Sequence, residues 1–352
     1  MAYTTINKPS DYFNTKLYTG NGADRSITGV GFQPDWIWVK ERTGTSEHRA
    51  CNSTTGSKNV LFPSANFAEQ VDQYGTIDSF DADGFSITTG TTNSNYVGLN
   101  VNGVDMVTWH WKANGGTTSS NTDGSITSTV QANTTSGFSI VSYTGTGANA
   151  TVGHGLGVAP KMIIFKNRTV ARNWISYHDS IGATKFMYFN LTNAEQTDST
   201  AFNNTAPTSS VFSLGSNVGG NESGSSMIAY CFAEVKGFSK FGSYVGNGNA
   251  DGSFIYLGFK PAMVILKDYT SASNYNWVII DNKRDPSNSL DRRLQPSTNF
   301  AEYTDVSDFC DFTSNGIKWR GSQGNWNASG VGYIYMAFAE EPLVGDNPAT
   351  AR

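Results

Sequence analysis

Three stretches of this chain repeat one pattern at one spacing. Residues 18–40 read YTGNGADRSITGVGFQPDWIWVK, residues 143–166 read YTGTGANATVGHGLGVAPKMIIFK, and residues 244–267 read YVGNGNADGSFIYLGFKPAMVILK. In each, a Tyr-x-Gly-x-Gly turn passes through a Gly-rich loop to a proline. An apolar run then ends in a lysine six residues on, at Pro34 and Lys40, Pro160 and Lys166, Pro261 and Lys267. Self-similarity at a fixed register means one supersecondary unit used again. A second signature closes each copy, MVTWHWKA from Met106, MIAYCFAE from Met227 and YIYMAFAE from Tyr333, lying 66, 61 and 66 residues after the lysine. Eight aromatic-rich residues suit a strand and are too few for most helices. Their nearly unbroken apolar character predicts strands buried on both faces.

The copies share more than these strands. Residues 61–70, LFPSANFAEQ, return as LQPSTNFAEY at 294–303, with seven of ten positions identical. Residues 79–87 (SFDADGFSI) and 311–319 (DFTSNGIKW) each carry an Asp-Gly or Asn-Gly turn signal ahead of a strand. The repeated proline donates no hydrogen bond and fits a strand's first position. Trp36 and Trp38 alternate with Ile37 and Val39, which places both indoles on one face. Met162 and Ile164, then Met263 and Ile265, take those places in the other copies.

Residues 114–136 separate copies one and two. Their first half reads as a flexible Gly/Ser/Thr/Asn linker and residues 125–130 as an edge strand. Copies two and three abut. A short helical turn is expected near 64–70, and residues 1–10 read as an extended arm or docking strand. The expected fold is therefore all-β, with three related β-sandwich modules in tandem joined by short Gly/Ser/Thr/Asn-rich linkers. Their bounds are 1–113 with the arm, 114–235 with the linker, and 236–352.

Charged residues make up 15% of the chain and aromatics 13%, a balance that argues against disorder. A net charge of −5 without a basic run gives nucleic acid no electrostatic footprint. Neither a secretory signal nor an apolar run near membrane-spanning length is visible. Cys51, Cys231 and Cys310 form no CxxC pair, and Cys231 sits in an apolar run as a small buried hydrophobe.

Candidate chemistry is sparse. His48, His110, His154 and His178 show no metal-ligand spacing, and no GxSxG elbow accompanies them. Asp81/Asp83, Asp308/Asp311 and Glu340/Glu341 are the closest acidic pairs, but neighbours on a strand point to opposite faces. The DADG at 81–84 lacks the distal glutamate of a calcium loop and reads as a turn. The Gly-x-Gly turns precede no helix, so they serve positive φ rather than phosphate. Trp319 and Trp326 flank a Gly/Ser/Gln/Asn loop beside Arg320, the materials of sugar recognition, although both also fit a core. No catalytic, cofactor-binding or metal residue is assigned, no cofactor is expected, and the chain is read as a non-enzyme.

Several of these segments together resemble a family of tailed-bacteriophage virion proteins, of the marine cyanophage type, built on a repeated domain of unknown function. They are the opening MAYTTI with YTGNG, then GFQPDWIWVK, GHGLGVAPKMIIFKNR, SNTDGSITSTVQAN, IAYCFAEVKGFSKFGSY and the ending YIYMAFAEEPLVGDNPATAR. The resemblance implies a structural protein of the virion surface, made in the host cytoplasm. A tail-fibre or receptor-recognition component is the first expectation, a capsid-decoration (cement or head-fibre) protein the alternative, and a polysaccharide depolymerase the weaker one. Implied partners are other virion proteins through the N-terminal arm, a host surface glycan or receptor, and two further copies in a homotrimer.

Overall fold

The structure, a computed structural model, describes residues 4–71, 73–90, 96–271, 275–304, 309–345 and 348–349. Strand accounts for 44% of the chain and helix for 3%, so the molecule is nearly all β. The α-helices among the described residues, Ser199–Phe202 and Val218–Asn221, have four residues each, and no helix is long and apolar enough to cross a membrane. Residues 64–70 are not helical, contrary to expectation.

One antiparallel strand order occurs three times. In the first large sheet Phe13–Thr19 lies beside Asp105–Trp111, then Trp36–Glu41, then Arg49–Asn52. The second runs Phe138–Thr144, Ser226–Phe232, Met162–Asn167, Ile175–His178. The third runs Ser239–Val245, Gly332–Pro342, Phe259–Asp268, Val278–Asp281. The closing signature always sits beside the proline–lysine strand, in one register: Trp36 opposite Trp111, Met162 opposite Phe232, Met263 opposite Phe338.

A smaller sheet covers the outer face of each. Its strands are Arg25–Thr28, Gly84–Thr89 and Gly75–Asp81 in the first case, Ala150–Gly153 and Val211–Leu214 in the second, and Phe254–Tyr256, Gly316–Trp319 and Cys310–Thr313 in the third. The Asp-Gly and Asn-Gly signals mark the ends of hairpins, with Asp81 paired to Gly84 and Thr313 to Gly316. The segment read as linker is more ordered than expected. Ser119–Asn121 and Ser128–Asn133 extend the second sheet, so the edge strand falls earlier than 125–130, where polar Ser and Asn give no alternation to read.

Side-chain alternation shows why the closing strands are apolar on both sides. Val107, Trp109 and Trp111, Ile228, Tyr230 and Phe232, and Ile334, Met336 and Phe338 all enter one central cluster. The alternate positions, such as Met106, Cys231 and Tyr335, face three separate clusters beneath the small sheets. Trp36 and Trp38 share the central face, as do Met162 with Ile164 and Met263 with Ile265. At its middle Trp111, Phe232 and Phe338 form a triangle, with ring centroids 6.4, 5.9 and 5.7 Å apart. The three large sheets thus bury their inner faces against one another and form one body. All eight tryptophans are less than 2% exposed.

The contacts between sheets run in one rotational sense. Glu69 N–H donates to Arg168 O, Glu195 N–H to Tyr269 O, and Glu302 N–H to Arg42 O, each from one sheet's system to the next. Two of these junctions add bidentate pairs, Arg168 to Glu69 at 2.9 and 2.6 Å and Arg42 to Glu302 at 3.1 and 2.8 Å. At the remaining junction Tyr269 stands where the others have arginine, and Glu195 pairs with Lys185 instead. The contact closes back on the first sheet, which makes a ring. The N-terminal stretch is docked on this body. Thr4, Ile6 and Pro9 are buried while Thr5 and Asn7 are exposed, and Ile6 joins the central cluster; residues 1–3 lie outside the described range.

Candidate functional site

The repeated motifs are consumed by folding. Tyr18, Tyr143 and Tyr244 donate their hydroxyls to Leu99 O, Gly220 O and Trp326 O at 2.5 to 2.6 Å. A buried asparagine follows in each copy, six residues before the closing signature: Asn100, Asn221 and Asn327. Its Oδ1 accepts from the backbone of Asn21, Thr146 or Asn247, inside the Tyr-x-Gly-x-Gly turn. Its carbonyl accepts from Gly22, Gly147 or Gly248, whose φ values are +64°, +70° and +65°. Only glycine adopts that backbone readily, so the motif is a latch and not a phosphate cradle. Sequence reading missed these asparagines, although their constant offset from the signature was there to find.

The three repeat lysines are wholly buried. Lys166 Nζ donates to Asn66 O and Arg172 O, Lys40 to Glu41 O and Gly44 O, and Lys267 to Asp268 O. Burial pushes Lys166 down to about 7. It pushes Lys40 and Lys267 down to about 8, against the upward pull of the Glu41 and Asp268 carboxylates. A neutralised lysine is nucleophilic in principle, but these amines meet backbone carbonyls with no route to solvent.

The histidines are equally internal. His154 and His178 place Nε2 3.1 Å from Thr208 O and Tyr335 O, and His110 places Nδ1 3.1 Å from Asn14 O. Burial lowers all three, His110 to about 3 and His178 to about 4. His48 Nδ1 accepts from Trp38 Nε1 at 2.9 Å, which leaves the proton on Nε2. That atom faces the Gln295 and Thr298 backbones without a hydrogen bond of good geometry. His48 occupies the place of Trp174 and Trp277, whose indoles donate to Phe62 O and Tyr188 O of the neighbouring copy. All three cysteines are buried and outside any disulfide.

The acidic pairs do not converge. Asp83 accepts from Gly29 and Gly31 N–H at 3.0 and 2.6 Å, which holds its carboxyl below the usual range, while Asp81 accepts from Ser79. Asp311 pairs with Arg320 at 2.6 Å, and Asp308 lies outside the described residues. Trp319 and Trp326 are buried with Phe309 in the third outer cluster, so they are core and not a sugar platform. Among the described residues no group of three His, Cys, Asp or Glu could hold a metal ion.

Exposed apolar side chains occur on all three sheet systems, and the third differs from the others at its small sheet. Phe254 and Tyr256 are exposed on its edge strand, where the other copies carry Ser26 and Thr28, or Thr151 and Gly153. Nearby lies a polar cleft of about 560 Å³, lined among others by Lys260, Asn282, Lys283, Asp285, Phe312 and Glu340. Glu340 bridges Lys260 at 3.0 Å and Lys283 at 3.3 Å. Burial works to raise Glu340, but Lys260 first and Lys283 second hold it below the ordinary value; Asp285 is raised, chiefly by burial.

A family model described as a domain of unknown function, DUF7483, matches residues 8–342 in a single span that takes in all three copies. No curated protein and no solved structure matches the chain.

Proposed function

The chain belongs to the DUF7483 family, and from that premise we propose that it is a non-enzymatic structural protein of a phage particle. In this reading it sits on the virion surface as a tail-fibre or receptor-recognition component, made in the host cytoplasm. It consists of three homologous β-sandwich modules, 1–113, 114–235 and 236–352, closed into a ring. The observation that carries the reading is the shared aromatic core at Trp111, Phe232 and Phe338. The motif residues are spent on holding a shape, and what is left outside is loops for display. Rigid display with many weak contacts suits recognition by repetition.

The exposed side of the docked N-terminal segment, Thr5, Asn7 and Lys8, is the proposed contact with other virion proteins, and a host surface glycan is the proposed target. The assembly is proposed to be a homotrimer. Light scattering tests it, since a particle of 38.0 kDa would remove the trimer and leave the ring intact. Labelling the chain and imaging whole particles tests the placement. Signal along the tail is expected, signal over the head would establish capsid decoration instead, and absence from the particle would overturn both.

A further inference from the structure

We propose that the cleft of the third sheet system is a binding site for a short neutral saccharide, an inference that deepens the display reading above and rests on it for the origin of the ligand.

The three copies act as each other's controls. From Asn52 to Leu61 and from His178 to Met187, the fold joins two paired strands with a step of nine residues. The equivalent step in the third copy, Asp281 to Leu294, takes thirteen. Folding does not require the extra four residues, and the lengthened loop forms one wall of the cleft through Lys283, Asp285 and Asn288. That wall is held in place. Asn288 exchanges both amide hydrogen bonds with the Phe312 backbone at 2.9 Å, and Leu290 N–H donates to Cys310 O at 2.8 Å. Those contacts occupy the edge of the Cys310–Thr313 strand, so the cleft is not a place for a peptide to add as a strand.

The chemistry of the lining selects the ligand. Lys260 and Lys283 both lie on Glu340, so the positive charge is answered inside the cleft and an anion would have to displace it. Leu290 and Phe312 are buried behind the lining, and the apolar surface it shows to solvent comes from Pro286, exposed on the lengthened loop. Ammonium donors and carboxylate acceptors alternate around it, and Asn282 Oδ1 is a buried acceptor with no hydrogen-bond partner. A sugar presents a C–H face that can rest on the proline ring and hydroxyls that both donate and accept, which answers this lining group by group. The volume lies within the ordinary range for small-ligand sites.

The test uses the full chain against a panel of free neutral oligosaccharides of hexoses and N-acetylhexosamines, followed by calorimetric titration of any that bind. Lys283→Ala removes an exposed donor, and Ser314→Trp fills the cleft from the hairpin turn. Both are expected to weaken binding at least tenfold without lowering the unfolding temperature, while Lys161→Ala on the second sheet leaves it unchanged. No binding by any member of the panel at millimolar concentration would overturn the proposal, as would binding that both substitutions spare. Particle imaging reports on the display reading separately: a chain absent from the virion surface that still binds saccharide leaves the site standing. Cleavage of a bound saccharide would likewise keep the site and overturn the non-enzymatic reading.

Discussion

At the scale of single residues the turn asparagines are buried polar groups whose hydrogen-bonding capacity is well used. Asn221 Oδ1 accepts from Thr146, and its Nδ2 donates to Ala148 O and Gly215 O at 2.7 Å each. Removing it strands the buried Gly215 carbonyl and two partly buried backbone groups, and a stranded buried group costs about 1–3 kcal/mol. Asn221→Leu is expected to lower the unfolding free energy by at least ~2 kcal/mol in urea titrations. The lysines make a pH signature. Lys166 binds its proton less well folded, near 7, than unfolded, near 10.5, so the unfolded chain carries more protons in that window and stability rises with pH through it. Urea titrations between pH 7 and 9 should show ~2 kcal/mol of gain from this group alone, at about 1.4 kcal/mol per pH unit. Lys166→Met should flatten that part of the slope. Above pH 9 the gain is offset, because burial raises Cys231 and Tyr143 and their ionisation then opposes folding. The asparagines were legible by their offset from the closing signature, whereas the burial of the lysines was not. A lysine closing an apolar run looks like a strand end reaching solvent, and the Arg172 and neighbouring-copy Asn66 carbonyls that receive Lys166 are set by the fold.

At the scale of elements the strands were readable and their surroundings less so. Apolar length gave the closing strands, and Asp-Gly and Asn-Gly gave the hairpins, because both signals are local. Ser119–Asn121 was read as linker because it consists of Ser and Asn, whose pairing is fixed by the sheet they join, whereas Ser128–Asn133 overlaps the strand expected at 125–130. The copy-two counterpart of the NFAE motif, Ala194-Glu195-Gln196, was also missed, since only three residues survive there. Its backbone nevertheless makes the same junction bond as Glu69 and Glu302. The junctions differ in side-chain chemistry, and that difference is measurable. A double-mutant cycle on Arg168→Ala and Glu69→Ala should give a coupling of about 1–3 kcal/mol, as expected for a largely buried bidentate pair. Tyr269→Phe with Glu195→Ala should give less than half of that.

At the scale of the whole molecule, periodicity announced three like parts and was silent on how they meet. Whether inner faces touch depends on side chains from all three copies at once, which no single repeat contains. The triangle of Trp111, Phe232 and Phe338 decides it in favour of one body. Calorimetry of the intact chain should therefore show one transition whose calorimetric and van't Hoff enthalpies agree. Phe232→Ala should destabilise that single transition by about 3–5 kcal/mol, whereas beads on a string would lose one of several transitions and keep the others.

The ring also has a consequence for how the chain is born. The strand that completes it, Gly332–Pro342, follows the first two large sheets in the chain. Until it is in place the first two sheets can bury their inner faces only against each other, and the side of Trp111 and Phe232 that meets Phe338 stays open. Synthesis and burial are therefore separated in order, and a chain that stops short of this strand exposes aromatic surface of the kind through which partly folded proteins associate.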